Sequence, residues 1–142
     1  MSKKIIIILL AICIGAFLSF ITLFYLKPLK NAEDSKLTVF QTGAYSSYEN
    51  ALANKEKFSD AVILKDGELY RVLVGAATSE EGITKIAKVL TSKNIHYYQK
   101  SLNVSVSSND LIYKYNMLLE RATDDQVILE INKQILTKVA KI

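Results

Sequence analysis

Apolar and polar positions along this chain fall into three successive patterns. Residues 5–26, IIIILLAICIGAFLSFITLFYL, contain no charged side chain. Residues 37–102 combine short apolar runs with apolar positions at helical spacing, and residues 107–142 carry apolar positions three and four residues apart. These patterns predict a membrane-spanning helix, a small α+β domain and a C-terminal helical extension, in that order.

The uncharged run is long enough to cross a bilayer. Its 22 residues would measure about 33 Å as a helix, against a hydrocarbon thickness of about 30 Å. A buried core helix would need a polar side, and only Ser19 and Thr22 are polar. A cleaved signal peptide would need a shorter apolar core and a small-residue cleavage site. We therefore predict an uncleaved transmembrane helix over 5–26, after a short cytoplasmic segment (1–4) and before a linker (27–36).

The orientation of this span rests on a small charge difference. Lys3 and Lys4 precede the run, and Lys27 and Lys30 follow it. Because a large C-terminal part can be translocated whatever its charge, we expect a cytoplasmic N-terminus and an extracytoplasmic C-terminal domain at the cell membrane. Cys13 is the only cysteine and lacks the small preceding residue of a lipobox, so we expect neither acylation nor an internal disulfide.

The net charge of +4 is concentrated beside the predicted span. Residues 1–36 carry five lysines and two acidic side chains, whereas residues 37–103 carry eight basic and seven acidic ones. Residues 104–142 carry five of each. Basic side chains next to a membrane suit contact with lipid headgroups, and the nearly neutral remainder predicts no nucleic-acid partner.

A strand, a glycine and the start of a helix occur twice, thirty-two positions apart. The first strand ends at Gly43 and the third at Gly75, and each is followed by two hydroxyl residues (serine or threonine) and a glutamate, which favour a helix start. Asp66-Gly67 between the second and third strands is a hairpin turn signal. The predicted strands are residues 37–42, 61–65, 69–74 and 95–100. The order β-α-β-β-α-β predicts a four-stranded antiparallel sheet with both helices on one face and the other face open to solvent.

Alternation along the first and third strands selects candidate binding residues on that open face. Gln41 and Arg71 are predicted to lie together there, where an amide and a guanidinium can bond the hydroxyl and acetamido groups of a glycan. Leu69 and Leu73 would offer apolar surface to sugar rings. The alternative is that Gln41 is merely solvated and that Arg71 pairs with Glu68 or another carboxylate.

The fourth strand contributes two further candidates. Tyr97 and Gln99 would lie on the open face if Tyr98 faces the core.

Motifs in residues 37–102 resemble the SPOR domain, a bacterial module that binds peptidoglycan. The chain reads VFQTGAYS over 39–46 and ENA over 49–51, close to the family pattern V-Q-x-G followed by small or aromatic residues and serine, then E-N-A. It reads YRVLVG over 70–75, where the family has an aromatic residue and R-V-x-V-G-P. Ala76 stands in place of that proline.

The resemblance implies a function in the bacterial envelope. It implies that the positions of Gln41, Arg71 and the fourth strand line a groove for peptidoglycan glycan strands. It also implies a preference for strands stripped of stem peptides, which are enriched at division sites. We therefore expect a membrane-anchored peptidoglycan-binding protein acting in cell division or sporulation.

Other function classes lack sequence support. His96 has no cysteine or histidine partner for a metal, and no nucleophile elbow, P-loop or dinucleotide fingerprint occurs, so we expect no enzyme, metal or cofactor. An RNA-binding module on the same frame would carry aromatic side chains on its central strands, and the predicted open face does not. The remaining alternative is a membrane-anchored scaffold without glycan binding.

The C-terminal extension is predicted to form two amphipathic helices. Their apolar positions are Leu111, Ile112, Tyr115, Leu118 and Leu119, then Val127, Ile128, Ile131, Ile135, Val139 and Ile142. Residues 107–142 either form a hairpin that packs on itself or on the preceding domain, or they bind a protein partner.

Overall fold

The structure, a computed structural model, describes residues 35–106 and 110–142. Its strands are β1 (Ser35–Tyr45), β2 (Val62–Asp66), β3 (Leu69–Ala77) and β4 (Tyr98–Val106). Its helices are α1 (Tyr48–Lys55), α2 (Glu80–Ser92), α3 (Leu111–Arg121) and α4 (Asp125–Val139). The α+β class and the four-stranded antiparallel sheet are confirmed.

Several predicted boundaries are wrong by a few residues. β1 continues to Tyr45 and β3 to Ala77, and β4 begins at Tyr98 instead of residue 95. Ser35 and Lys36, assigned to the linker, already belong to β1, and β4 continues to Val106 instead of ending at Lys100. The reason is mutual pairing, since Ser35 lies opposite Val106 at the end of the β1–β4 ladder. The predicted segments 1–4 and 5–26 lie outside the described residues. Within the described residues, no helix is both long and apolar enough to cross a membrane.

The sheet order is β2-β3-β1-β4, so β1 and β3 form the central pair, as the element order predicts. Their register shifts at two places, between Phe40 and Gln41 and between Gln41 and Gly43. Shifts of this kind add twist and re-aim the neighbouring side chains. The two irregularities therefore flank Gln41, one of the predicted site residues.

Local signals in the sequence explain the helix ends and the hairpin. The hydroxyl oxygens of Ser47 and Ser79 accept hydrogen bonds from the backbone N–H groups of residues 50 and 82, which caps α1 and α2. Asn94, at φ 56°, ends α2 in the left-handed region. Gly67, at φ 64°, supplies the same backbone conformation in the turn between β2 and β3.

One face of the sheet packs against α1 and α2. Phe40 on β1 and Gly75 on β3 lie opposite each other on this face. A Cβ atom at Gly75 would lie 2.6 Å from a methyl carbon of Ile86 and 3.1 Å from the Phe40 ring, so the helix can approach only because residue 75 is a glycine. Part of the hydrophobic core, including Phe40 and Ile86, thus lies between this face and α2.

α4 packs at the edge of β3, beside the residues that β2 does not pair. β2 begins at Val62, opposite Leu73, so the last residues of β3 extend past it. There the Asn132 side chain on α4 donates to the Val74 carbonyl (2.9 Å) and accepts from the Ala76 N–H (3.2 Å). A buried amide thus bonds backbone groups that would otherwise be left unpaired. α4 also contacts α2 and α3.

A second asparagine bonds the residue just after the end of β3. Asn116 on α3 accepts a hydrogen bond from the Thr78 N–H (2.9 Å) and donates to the Ile112 carbonyl (2.9 Å). Both asparagines are buried. α4 is therefore packed against β3 and bonded to it, and α3 is bonded to the residue that follows β3.

The prediction that the second face is open to solvent is wrong for about half of that face. Leu37 and Val39 alternate with Phe40 and so lie on the face away from α1 and α2, yet both are fully buried. Val139 of α4 lines the same small cleft as Leu37 and Leu102. The physical reason is that the C-terminal helices pack over this end of the sheet and exclude solvent from it.

Candidate functional site

The two leading candidates from the sequence are in direct contact. The Arg71 guanidinium donates through Nη1 to the side-chain oxygen of Gln41, at 2.9 Å, between the two central strands. Both side chains lie on the face away from α1 and α2. The prediction that they lie together is correct, but Arg71 is only 8% exposed and is not a freely solvated cation.

A carboxylate from the edge of the sheet fixes this pair. The Nε atom of Arg71 lies 2.6 Å from an Asp66 oxygen at the end of β2. The partner is thus Asp66, and not Glu68, which the sequence equally allowed. The Lys100 ammonium also lies 2.9 Å from that Asp66 oxygen. We call Gln41, Asp66, Arg71 and Lys100 the polar network.

The polar network spans the whole width of the sheet. β2 and β4 are the two edge strands, so the Lys100 side chain must extend across the face to reach Asp66. Each of the four strands contributes one side chain. With two cations and one carboxylate, the network carries a formal charge of +1 and presents several charge-assisted donors.

The electrostatics of the polar network favour an ionised Asp66. Hydrogen bonds from Lys100 and Arg71 lower the pKa of the Asp66 carboxyl from its ordinary value. Charge-assisted bonds of this kind stabilise the carboxylate relative to the neutral acid. Asp66 therefore holds Arg71 and Lys100 in place at neutral pH.

The fourth strand contributes a different tyrosine from the one predicted. Tyr98 lies opposite Gln41 in the β1–β4 ladder and is 73% exposed, so it stands beside the polar network. Tyr97 points the other way and packs edge-on against Phe40, with 5.1 Å between ring centroids. Gln99 lies opposite Phe40 and so shares its face. The assignment of Tyr97 and Gln99 to the binding face is wrong, because the register of β4 reverses it.

The two leucines predicted to offer apolar surface differ in exposure. Leu69 is 36% exposed and lies opposite Asp66 at the hairpin. Leu73 lies opposite Gln41 but is fully buried, so it cannot contact a sugar. Its place on the face is predicted correctly, whereas its accessibility is not, because the sequence pattern does not place the C-terminal helices over this face.

Three side chains beside Gln41 and Arg71 were missed from the sequence: Asp66, Lys100 and Tyr98. The sequence pattern assigns Asp66 only to a turn, although a carboxylate at a strand end can pair with an arginine on the neighbouring strand. Lys100 and Tyr98 depend on the register of β4. The usable signal for that register is the apolar Leu102, which pairs with Leu37.

The match to known families agrees with this geometry. Residues 34–101, about half of the chain, match the family model of the SPOR domain. Residues 34–101 are a SPOR domain.

A solved structure is also similar to this SPOR domain. It is the peptidoglycan-binding domain of the B. subtilis cell wall lytic enzyme CwlC, which is similar over 52% of this chain and 96% of its own, at 28% identity and a TM-score of 0.36. No curated protein sequence matches the chain.

The exposed part of the sheet face of the SPOR domain offers hydrogen bonding and one aromatic ring. Because the Gln41 oxygen is bonded to Arg71, its amide NH2 group is turned away from the guanidinium. The Tyr98 ring adds a flat apolar surface with a hydroxyl at its tip. In the residues that the structure describes, no cluster of histidine, cysteine, aspartate and glutamate could hold a metal ion. The chemistry available at this face is recognition of a polar ligand that carries apolar patches.

Proposed function

We propose that this SPOR domain binds the glycan strands of peptidoglycan through the polar network and Tyr98. The family match supports this ligand class. We further propose that strands stripped of their stem peptides are preferred, and that the protein acts as a binder and not as an enzyme.

The observation that carries the proposal is the Gln41–Arg71 pair, held by Asp66 and adjacent to an exposed tyrosine. Sugars present hydroxyl and acetamido groups around the ring and C–H groups on its faces. Gln41, Arg71 and Lys100 would bond the former, and Tyr98 would pack on the latter. Because Asp66 fixes the two cations before binding, less side-chain freedom is lost when the ligand arrives.

The cellular setting that we propose follows from the N-terminal sequence. The uncharged run 5–26 would anchor the chain in the cell membrane, with the SPOR domain on the outer side, where peptidoglycan lies. This position suits a role in cell division or sporulation, in which wall synthesis is local.

A pelleting experiment tests the proposed ligand. The full chain in a non-denaturing detergent is mixed with purified peptidoglycan, before and after an amidase removes the stem peptides. We expect co-sedimentation that increases after amidase treatment. Tyr98→Ala should reduce this co-sedimentation strongly, because it removes the ring that would pack on the sugar. The exposed position of Tyr98 means that the fold stays intact. Leu118→Ala on α3, at a position that is 51% exposed and belongs to no part of the site, is the control and should pellet like the parent. Absence of the parent chain from both pellets would exclude this function.

A scaffold function is the second candidate, and one observation favours it. Leu111 and Leu118 of α3 and Val127 of α4 are each about half exposed. Apolar side chains grouped on one helical hairpin suit a protein partner. If a variant with all three changed to serine kept glycan binding but lost its cellular position, the hairpin would be the targeting element.

A further inference from the structure

A cluster of three tyrosines lies on the opposite face of the sheet from the polar network. Tyr45 on β1 and Tyr70 on β3 are cross-strand partners, and Lys65 on β2 lies opposite Tyr70. Tyr48, the first residue of α1, packs edge-on against the Tyr70 ring, with centroids 5.6 Å apart and planes at 75°. We call Tyr45, Tyr48 and Tyr70 the tyrosine cluster.

The tyrosine cluster is accessible at its outer side. Tyr48 is 48% exposed, and Tyr45 and Tyr70 are half-buried. The Tyr45 ring lies close over Gly43, since a Cβ atom there would come within 2.7 Å of two ring carbons. The Lys65 ammonium lies 5.8 Å from the centre of the Tyr70 ring. The result is a surface of aromatic rings with phenol hydroxyls and one ammonium beside them.

The cluster and the polar network meet at one end of the sheet. Tyr70 directly precedes Arg71, and Lys65 directly precedes Asp66, so neighbouring residues of the same two strands supply both surfaces. The turn at Gly67 and the exposed Leu69 form the rim between them. A ligand longer than one sugar could therefore contact both surfaces by passing around the β2–β3 hairpin.

We propose that the tyrosine cluster is a second sugar-binding surface, which stacks a pyranose ring of the same glycan strand. This inference rests on the proposed function of the SPOR domain. Ring C–H groups would pack on Tyr48 and Tyr70, and sugar hydroxyls would bond the phenol groups and Lys65. Grouped and partly exposed aromatic rings beside a cation are the chemistry that such a ligand requires, and packing alone does not require Tyr48 to stay half exposed.

The test compares variants of the full chain in binding to amidase-treated peptidoglycan. Tyr48→Ala should weaken binding about twofold to tenfold, as loss of one aromatic contact does. Tyr48→Phe keeps the ring and should weaken binding less than Tyr48→Ala does, because it removes only the phenol hydroxyl. Leu118→Ala again serves as the control. In spectra of tyrosine-labelled protein titrated with chitotetraose, the Tyr48 and Tyr70 ring signals should shift together with the ring signal of Tyr98.

Two outcomes would contradict the tyrosine cluster without contradicting glycan binding. One is a Tyr48→Ala variant that binds like the parent while Tyr98→Ala loses binding. The other is a titration that shifts the Tyr98 signal but leaves the Tyr48 and Tyr70 signals unchanged. A parent chain that binds no glycan would instead overturn the proposed function and this inference together.

Discussion

Replacing Asp66 by asparagine tests whether one carboxylate organises the candidate site. The new amide would still offer an oxygen to Arg71 but no negative charge. The Arg71 side chain is 10% exposed, so its charge would lose its nearest counter-ion in a poorly solvated position. A hydrogen bond to a charged group contributes about 1.5–3 kcal/mol. Because the Asp66 side chain is itself 37% exposed, solvent screening reduces this, and we expect Asp66→Asn to cost about 1–2 kcal/mol.

The pH dependence of the effect identifies its origin. The pKa of Asp66 is lowered in the folded protein, first by Lys100 and then by Arg71. A lowered pKa stabilises the folded state above the ordinary value of about 3.9, and this contribution is lost as the pH falls through the folded pKa. The stability difference between parent and Asp66→Asn should therefore be full at neutral pH and shrink below about pH 4.

Urea denaturation followed by circular dichroism measures this difference at neutral and at acid pH. Asp60→Asn is the matched control, because the Asp60–Lys133 ion pair is 3.3 Å long and has both side chains about half exposed. Such exposed pairs contribute about 0–1 kcal/mol. An Asp66→Asn effect no larger than that of Asp60→Asn, or one equally large in acid, would refute the role assigned to the carboxylate.

Three further predictions concern binding, packing and topology. In a sedimentation assay, Arg71→Ala should weaken glycan binding about tenfold to a hundredfold and Gln41→Ala somewhat less. Val72→Ala, at a fully buried position, should lower stability and leave the binding of the folded fraction intact. If folded Gln41→Ala and Arg71→Ala both bind like the parent, the site assignment is wrong. Asn132→Ala leaves two backbone groups of β3 without partners and should cost about 2–4 kcal/mol of stability in thermal unfolding. Gln134→Ala on the same helix should cost under about 0.5 kcal/mol, and similar melting temperatures for the two variants would contradict the role given to the Asn132 hydrogen bonds. Protease added to cells without a wall should digest the SPOR domain, and its survival would argue against an extracytoplasmic position.

The repeated sequence pattern is sufficient to predict the sheet and its central pair. Gly43 and Gly75 end equivalent predicted strands, and the same order of elements brings Gln41 and Arg71 onto adjacent strands. Alternation predicts that both lie on the same face, whereas the two register shifts beside Gln41 are visible only in the structure. The partner of Arg71 cannot be chosen in the same way, since Asp66 and Glu68 flank the same turn and only the bend of the hairpin selects Asp66.

The register of β4 cannot be read from local sequence. Tyr97 and Tyr98 are adjacent aromatic residues, so alternation allows either one to face the core. The structure selects Tyr97, which packs on Phe40, because the long pairing of β4 with β1 brings Leu102 opposite Leu37. A shift of one residue reverses every side chain on a strand. The register of β4 therefore explains why Tyr98 and Lys100, and not Tyr97 and Gln99, lie on the face of Gln41 and Arg71.

The position of the C-terminal helices has a weak signal in the sequence. Asn116 and Asn132 each follow an apolar core residue, Ile112 or Ile128, by four positions, and so lie within the apolar stripes of α3 and α4. A polar side chain on a stripe that packs must find a partner. In both helices the partner is the backbone of β3 or of the residue just after it, beyond the end of β2. The apolar stripes predict that both helices pack against other parts of the protein. Only the asparagines indicate that they do so near the end of β3.

This packing determines where a ligand can bind. α4 and its Val139 lie over the end of the sheet that holds Leu37 and Leu102, so the face that is open in a bare β-α-β-β-α-β sheet is reduced to the half nearer the β2–β3 hairpin. The polar network lies in that half, and the tyrosine cluster lies near the same hairpin on the opposite face of the sheet. A glycan strand laid straight along the sheet would meet α4, whereas one that passes around the hairpin meets both surfaces. The C-terminal helices would thus be a steric barrier that favours the second path, although they contribute no residue to either surface.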